Sequence, residues 1–246
     1  MINIIKKDWT ILLCLLTGLL LRVLYIIRYP IQPRDAYSYM NVITKWEKEG
    51  FIEDGIGIVP LSLWILKTPH KLFSIDLLKG GVVINMILGL LIIVVMIRIT
   101  GAIFHNELIQ LFVGLITATH PILIHFSCVF LRENSYLFFS GLALFCLVKY
   151  LASPRYLYLS CGSVASSLSF ACRLEGLELP LFFFSAILFG NRYKKKTKRF
   201  SLAIFVYVLV YIFTLLMLLE MMGINSNNIH YIKTKIKART VERIND

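Results

Sequence analysis

Long apolar runs separated by short polar stretches set the pattern of this chain. Seven such runs recur, at about 9–27, 77–99, 108–124, 135–151, 156–172, 177–189 and 200–222. A helix rises 1.5 Å per residue and a hydrocarbon core is about 30 Å thick, so runs near this length suit membrane crossing. In lipid the backbone must satisfy its own hydrogen bonds, and none of the runs alternates as a barrel strand would, so each predicts a helix. The expected fold class is an all-α polytopic membrane protein with about seven transmembrane helices. The stretch 28–76 is too long for a simple connector. Inside it, Met40, Ile43, Trp46 and Glu47 fall on helical spacing over 39–49, and 56–66 is apolar but too short to span. A long first external loop carrying two helices that lie on the membrane is the expectation. Residues 1–223 then form a transmembrane module. In 224–246, Ile229, Ile232, Ile236 and Ile244 recur among lysines and arginines, which predicts an amphipathic basic tail.

Composition strengthens the membrane reading. The 246 residues are 58% hydrophobic and only 16% charged, against about 25% charged in soluble domains. The net charge of +12 does not point to nucleic acid, because no basic patch is interleaved with exposed aromatics on a soluble domain. Basic residues flanking spans face anionic membrane lipid and set orientation. Six cations crowd into 192–199, and Arg98, Lys149 and Arg155 flank two other short turns. Taking these as cytoplasmic puts the N-terminus inside and, after seven spans, the C-terminus on the exoplasmic side. Lys6 and Lys7 precede an apolar run with no small-residue cleavage site, which reads as a signal anchor. The five cysteines contain no CxxC pair and sit in or beside apolar runs, where a small buried hydrophobe is the plain reading.

Acids are scarce, 14 in all, so their placement matters. Asp35 follows the first run. Arg132-Glu133 opens the fourth, and Arg173-Leu174-Glu175 separates the fifth from the sixth. With the expected topology these three stretches meet at one membrane surface. Ionisable groups at membrane depth are costly and often mark function.

In chain order, six segments resemble the membrane glycosyltransferases of the GT-C superfamily. They are Leu21-Arg22-Val23-Leu24, Arg34-Asp35-Ala36-Tyr37-Ser38-Tyr39, Val59-Pro60-Leu61, Thr119-His120-Pro121, Leu131-Arg132-Glu133-Asn134-Ser135-Tyr136 and Cys172-Arg173-Leu174-Glu175-Gly176. The nearest group is the protein O-mannosyltransferase and aminoarabinose (lipid A) transferase-like one, often called family 39-like. The likeness covers about residues 8–190, and seven spans are similar to that superfamily's transmembrane module. It implies transfer of a sugar from a polyprenyl-phosphate donor to a hydroxyl on lipid, protein or glycan, at the outer face of the plasma (inner) membrane. Asp35 falls where the family has its first-loop catalytic acid, and Glu133 where some members have a second. Against the family pattern the chain is short at its C-terminus, in the part that often shapes the acceptor site.

Each residue carries a plainer reading beside this one. Asp35 is the expected general base, since attack by a hydroxyl must shed a proton; it is equally a good N-cap. Glu133 would orient the acceptor or share a divalent cation with Asp35, or else pair with Arg132 in a first helical turn. Hard cations want several oxygen ligands, so a metal stays open rather than assigned, and no other cofactor is implied. Arg173 suits a departing phosphate as a bidentate fork, or pairs with Glu175 or Glu178. Arg22 would assist, or snorkel to the surface. Arg34, Tyr37, Tyr39 and His120 complete the expected substrate-binding set; an interfacial aromatic belt accounts for the tyrosines as well. No nucleotide loop, zinc spacing or GxSxG elbow occurs. Two rivals remain: a non-catalytic subunit of a glycan-assembly complex on the same scaffold, and a lipid-linked sugar transporter. The second is weakened by the lack of a repeat and of midplane charges.

Overall fold

The computed structural model describes residues 2–49, 60–192 and 197–221. The basic tail and the loop lysines 194–196 lie outside them. The described residues are mainly helical, with no strand, as the apolar runs predict. The helices are α1 (Ile2–Arg28), α2 (Arg34–Glu49), α3 (Pro60–Phe73), α4 (Leu77–Phe104), α5 (Glu107–Thr119), α6 (Pro121–Cys128), α7 (Glu133–Ala152), α8 (Tyr156–Cys172), α9 (Glu178–Arg192) and α10 (Thr197–Met221).

Seven spans is not what these helices amount to. Among the described residues, three are long and apolar enough to cross a membrane: Trp9–Arg28, Leu77–Phe104 and Glu133–Ala152. The pair α5–α6, bent by 54°, makes a fourth if counted as one span. The cause of the bend is local. Pro121 has no N–H to give back to α5 and pushes the residue before it out of helical geometry, and His120 accordingly sits at φ −62°, ψ 119°. The run expected over 108–124 therefore breaks at His120 and continues to Cys128. Further along, α8 has 17 residues, which is about 26 Å of helix and short of the hydrocarbon thickness. α9 is shorter still, and the described apolar stretch of α10 covers only Leu202–Leu218.

What α8 lacks in apolar length it makes up in close packing. It is built from small residues, and Gly162, Ser163, Ala165, Ser166, Ser167 and Ser169 are all buried. The Ser163 and Ser167 hydroxyls donate to the Tyr207 and Tyr211 carbonyls of α10 at 2.6 and 3.1 Å, and the Ser140 and Ser169 hydroxyls bond at 2.7 Å. Lipid tails give helices no hydrophobic reason to associate, so small residues and interhelical hydrogen bonds take over. Phe183 of α9 and Tyr207 of α10 stack at 4.6 Å in the core that α7–α10 share. By contrast α1 turns Leu13, Leu16, Leu20, Leu24 and Ile27 outward, a surface suited to lipid.

Helices α2 and α3 lie across one end of this bundle. Ala36, Tyr39 and Ile43 of α2, with Leu63 and Leu66 of α3, pack on the non-helical segment Val129, Phe130 and Leu131. Burial of such side chains away from water is worth roughly 1.5–3 kcal/mol each. Lys67 Nζ sits 3.8 Å from the Trp46 ring centre and pins α3 to α2. The helix expected over 39–49 begins earlier, at Arg34, and the second short helix runs to Phe73 rather than ending near 66.

Candidate functional site

Three chain-distant stretches come together where α2 crosses the start of α7 and the end of α8. Tyr39 is buried at their centre, and its hydroxyl feels the charges of Arg132, Glu133, Asp35 and Arg173. Burial is the larger influence and raises the Tyr39 pKa; the four charges partly cancel. Asp35 and Tyr39 are four residues apart on α2 and so share a face. Asp35 is exposed in the first turn, with no described residue bonded to its carboxylate.

Arg173 ends α8 in extended geometry, at φ −154° and ψ 145°. Its Nε and Nη2 donate to the two Glu175 oxygens at 3.1 and 2.7 Å, and its Nη1 donates to Glu133 Oε1 at 2.7 Å. These bonds hold the Glu175 carboxyl down at about 2 and raise the Arg173 pKa. The bidentate geometry depends on a tight turn, Leu174–Leu177. Gly176 folds back so closely on Phe170 and Ser169 that a Cβ would strike their backbone. Glu133 thus pairs with Arg173, not with its neighbour Arg132, and its Oε2 is buried without a hydrogen-bond partner among the described residues. Arg132 instead lies over the Tyr39 ring, 5.6 Å from its centre.

The expected substrate-binding set divides. Tyr39 and Arg173 belong to the cluster. Tyr37 is two positions from Tyr39, which on a helix turns it to the far side, and it is 54% exposed. Arg34 is exposed with no described side-chain contact. His120 sits at the α5–α6 break, exposed, and its side chain caps nothing.

Arg22 neither snorkels nor joins the cluster. It is fully buried between α1, α4 and α5. Its Nη1 donates to the Gly18 and Ala118 carbonyls at 2.9 and 3.4 Å, and its Nη2 donates to the Gly89 carbonyl at 3.4 Å. The bend at Pro121 strips the last α5 carbonyls of helical partners, and Arg22 supplies one of them. A cation at a helix C-terminus also meets the negative end of its dipole.

Three amides to which the sequence attached no role hold the site's backbone. Asn85 Nδ2 donates to the Val129 and Leu131 carbonyls, both at 2.7 Å, across the gap between α6 and α7. In return Asn134 Nδ2 donates to the Asn85 carbonyl at 2.8 Å and to Ser127 Oγ at 3.1 Å. Gln32, in the α1–α2 connection, accepts from Phe130 N at 2.8 Å and donates to the Cys128 carbonyl at 3.5 Å. Non-helical backbone inside an apolar bundle is tolerable only with such partners. The clue in the sequence was an amide inside an otherwise apolar run, which is costly unless used.

The donor set does not fit a divalent cation. The described residues contain no group of three or more His, Cys, Asp or Glu suited to a metal. Of the two expected ligands, Glu133 already has one oxygen on a guanidinium, and two arginines face the same space. No step is assigned to a metal. What the arrangement offers is an exposed carboxylate, Asp35, and the Arg132 and Arg173 guanidiniums, all acting on the buried Tyr39. The chain matches no family model, no curated protein and no solved structure.

Proposed function

We propose that the protein is an integral membrane glycosyltransferase that uses a polyprenyl-phosphate-linked sugar. The observation that carries this is the meeting of Asp35, Glu133 and Arg173 around Tyr39, from three elements far apart in sequence. In the proposed reaction an acceptor hydroxyl oxygen attacks the anomeric carbon of the sugar. The bond from that carbon to the phosphate oxygen breaks, and polyprenyl phosphate leaves with the electron pair. Asp35 takes the hydroxyl proton, and the configuration inverts. An exposed carboxylate suits this role, since it must reach an acceptor arriving from water and receive a proton as the attack proceeds. The Arg173–Glu133–Glu175 network, with both carboxylates bonded to one guanidinium, braces the start of α7 against the turn after α8. In this reading the site faces the exoplasmic side of the plasma membrane, with the N-terminus cytoplasmic.

The test is transfer of label from a polyprenyl-phospho-hexose into lipid, protein or glycan by membranes containing the full chain. Label transferred above the level in membranes lacking the chain supports the reading. No transfer, together with stable co-purification of a second membrane protein, favours a non-catalytic subunit instead.

A further inference from the structure

Arg173, the arginine expected to grip phosphate, has little left to offer. Three of its nitrogens are already bonded to two carboxylates. A phosphate binding there would have to displace a charge-assisted, bidentate partner. Arg132 is placed differently. Among the described residues no carboxylate lies within ion-pair distance of it and no acceptor meets its guanidinium, whose Nε is buried without a partner. It lies over the face of Tyr39. An aromatic face steadies a cation without consuming N–H donors, so the two terminal nitrogens of the fork are held in place and not bonded to any described acceptor. Glu133, the adjacent carboxylate, is turned to Arg173 instead. Among the described residues Arg132 thus keeps a charge that acts on Glu175 and Tyr39 only through space, without a direct bond. Beside the cluster, Leu174 and Leu177 are exposed in the turn after α8, an apolar lip for a chain attached to that anion.

We infer that Arg132 binds the phosphate of an isoprenoid-linked phosphate at this face. The inference rests on the transferase reading and assigns the donor's phosphate to a residue other than Arg173. Hydrogen bonds to charged groups are worth enough that losing the fork should weaken binding about tenfold or more.

The experiment uses the full chain in nanodiscs and measures binding of farnesyl phosphate, with farnesol, inorganic phosphate and phosphatidylglycerol as competitors. Wild-type protein is expected to bind farnesyl phosphate, with farnesol and phosphatidylglycerol competing poorly. Arg132→Met should lose about tenfold or more in affinity, and Arg132→Lys, which keeps the charge but not the fork, should fall between. Inorganic phosphate should displace the ligand only weakly, because it lacks the chain. Wild-type affinity in Arg132→Lys and in folded Arg132→Met would overturn the assignment, and so would equal competition by phosphatidylglycerol, which would give the site to bilayer headgroups. Arg132-dependent binding without any sugar transfer would leave this inference standing while the transferase reading fails. Transfer that persists with binding indifferent to Arg132 would do the reverse.

Discussion

Two arginine environments in this molecule make opposite use of the same side chain. Arg22 is sealed between three helices and spends its donors on backbone carbonyls, with no carboxylate bonded to it. Arg132 and Arg173 sit at the bundle's end among acids and tyrosines. An arginine inside an apolar span looks functional in sequence, yet Arg22 is explained by the local need of a broken helix. The pair at the end is not explained that way, because among the described residues the Asp35 carboxylate and the Arg132 guanidinium have no direct bonding partner.

The contrast can be broken in graded ways. The largest effect on folding is expected at Arg22. Arg22→Ala leaves carbonyls at the α5 break unmet and a void between Gly18 and Gly89, and should cost about 3 kcal/mol or more; thermal unfolding in detergent measures it. Replacing Asn85 by Leu keeps the shape but strands the Val129 and Leu131 carbonyls. The expected cost is about 2 kcal/mol. Because that segment presents Arg132, farnesyl phosphate binding by the folded fraction should weaken too, an effect a purely remote residue would not have. Gly176→Ala forces a methyl into the Phe170 backbone and should cost about 1–3 kcal/mol while loosening the Arg173–Glu175 fork. Proteolysis at 173–178 should rise with it.

The smallest expected effect is a pH dependence. The folded-state pKa of Glu175 lies below its usual value, at about 2. Its stabilisation is therefore complete above the ordinary glutamate range and is lost as pH falls from about 4 toward 2. Glu175 is half exposed, so the pair is worth at most about 0.5 kcal/mol after solvent screening. Unfolding of wild type and Glu175→Gln should differ slightly at pH 7 and converge near pH 2.

Much of the architecture was legible from periodicity and much of the site from topology. The run at 156–172 coincides with α8, and Leu77 opens α4 as expected. Glu133 and Arg173, expected together from the run ends they occupy, pair directly at 2.7 Å. What stayed hidden depends on partners distant in sequence. Pro121 announces a break, but not that Arg22 fills it from 96 residues away. Asn85 is one amide in an apolar run until Val129 and Leu131 lose helical geometry beside it. Serines made α8 read as an ordinary span, although they face inward to α7 and α10. Tyr37 and Tyr39 both belong to the expected substrate-binding set, but the helix begins at Arg34, which sends them to opposite sides.

The central claim is that Asp35, and not the buried charge of Arg22, performs chemistry. Single-turnover transfer in proteoliposomes preloaded with labelled polyprenyl-phospho-hexose tests it most directly. The account predicts that Asp35→Asn binds the donor as wild type does but transfers it about a hundredfold more slowly or worse. Transfer by Asp35→Asn at the wild-type rate would contradict it.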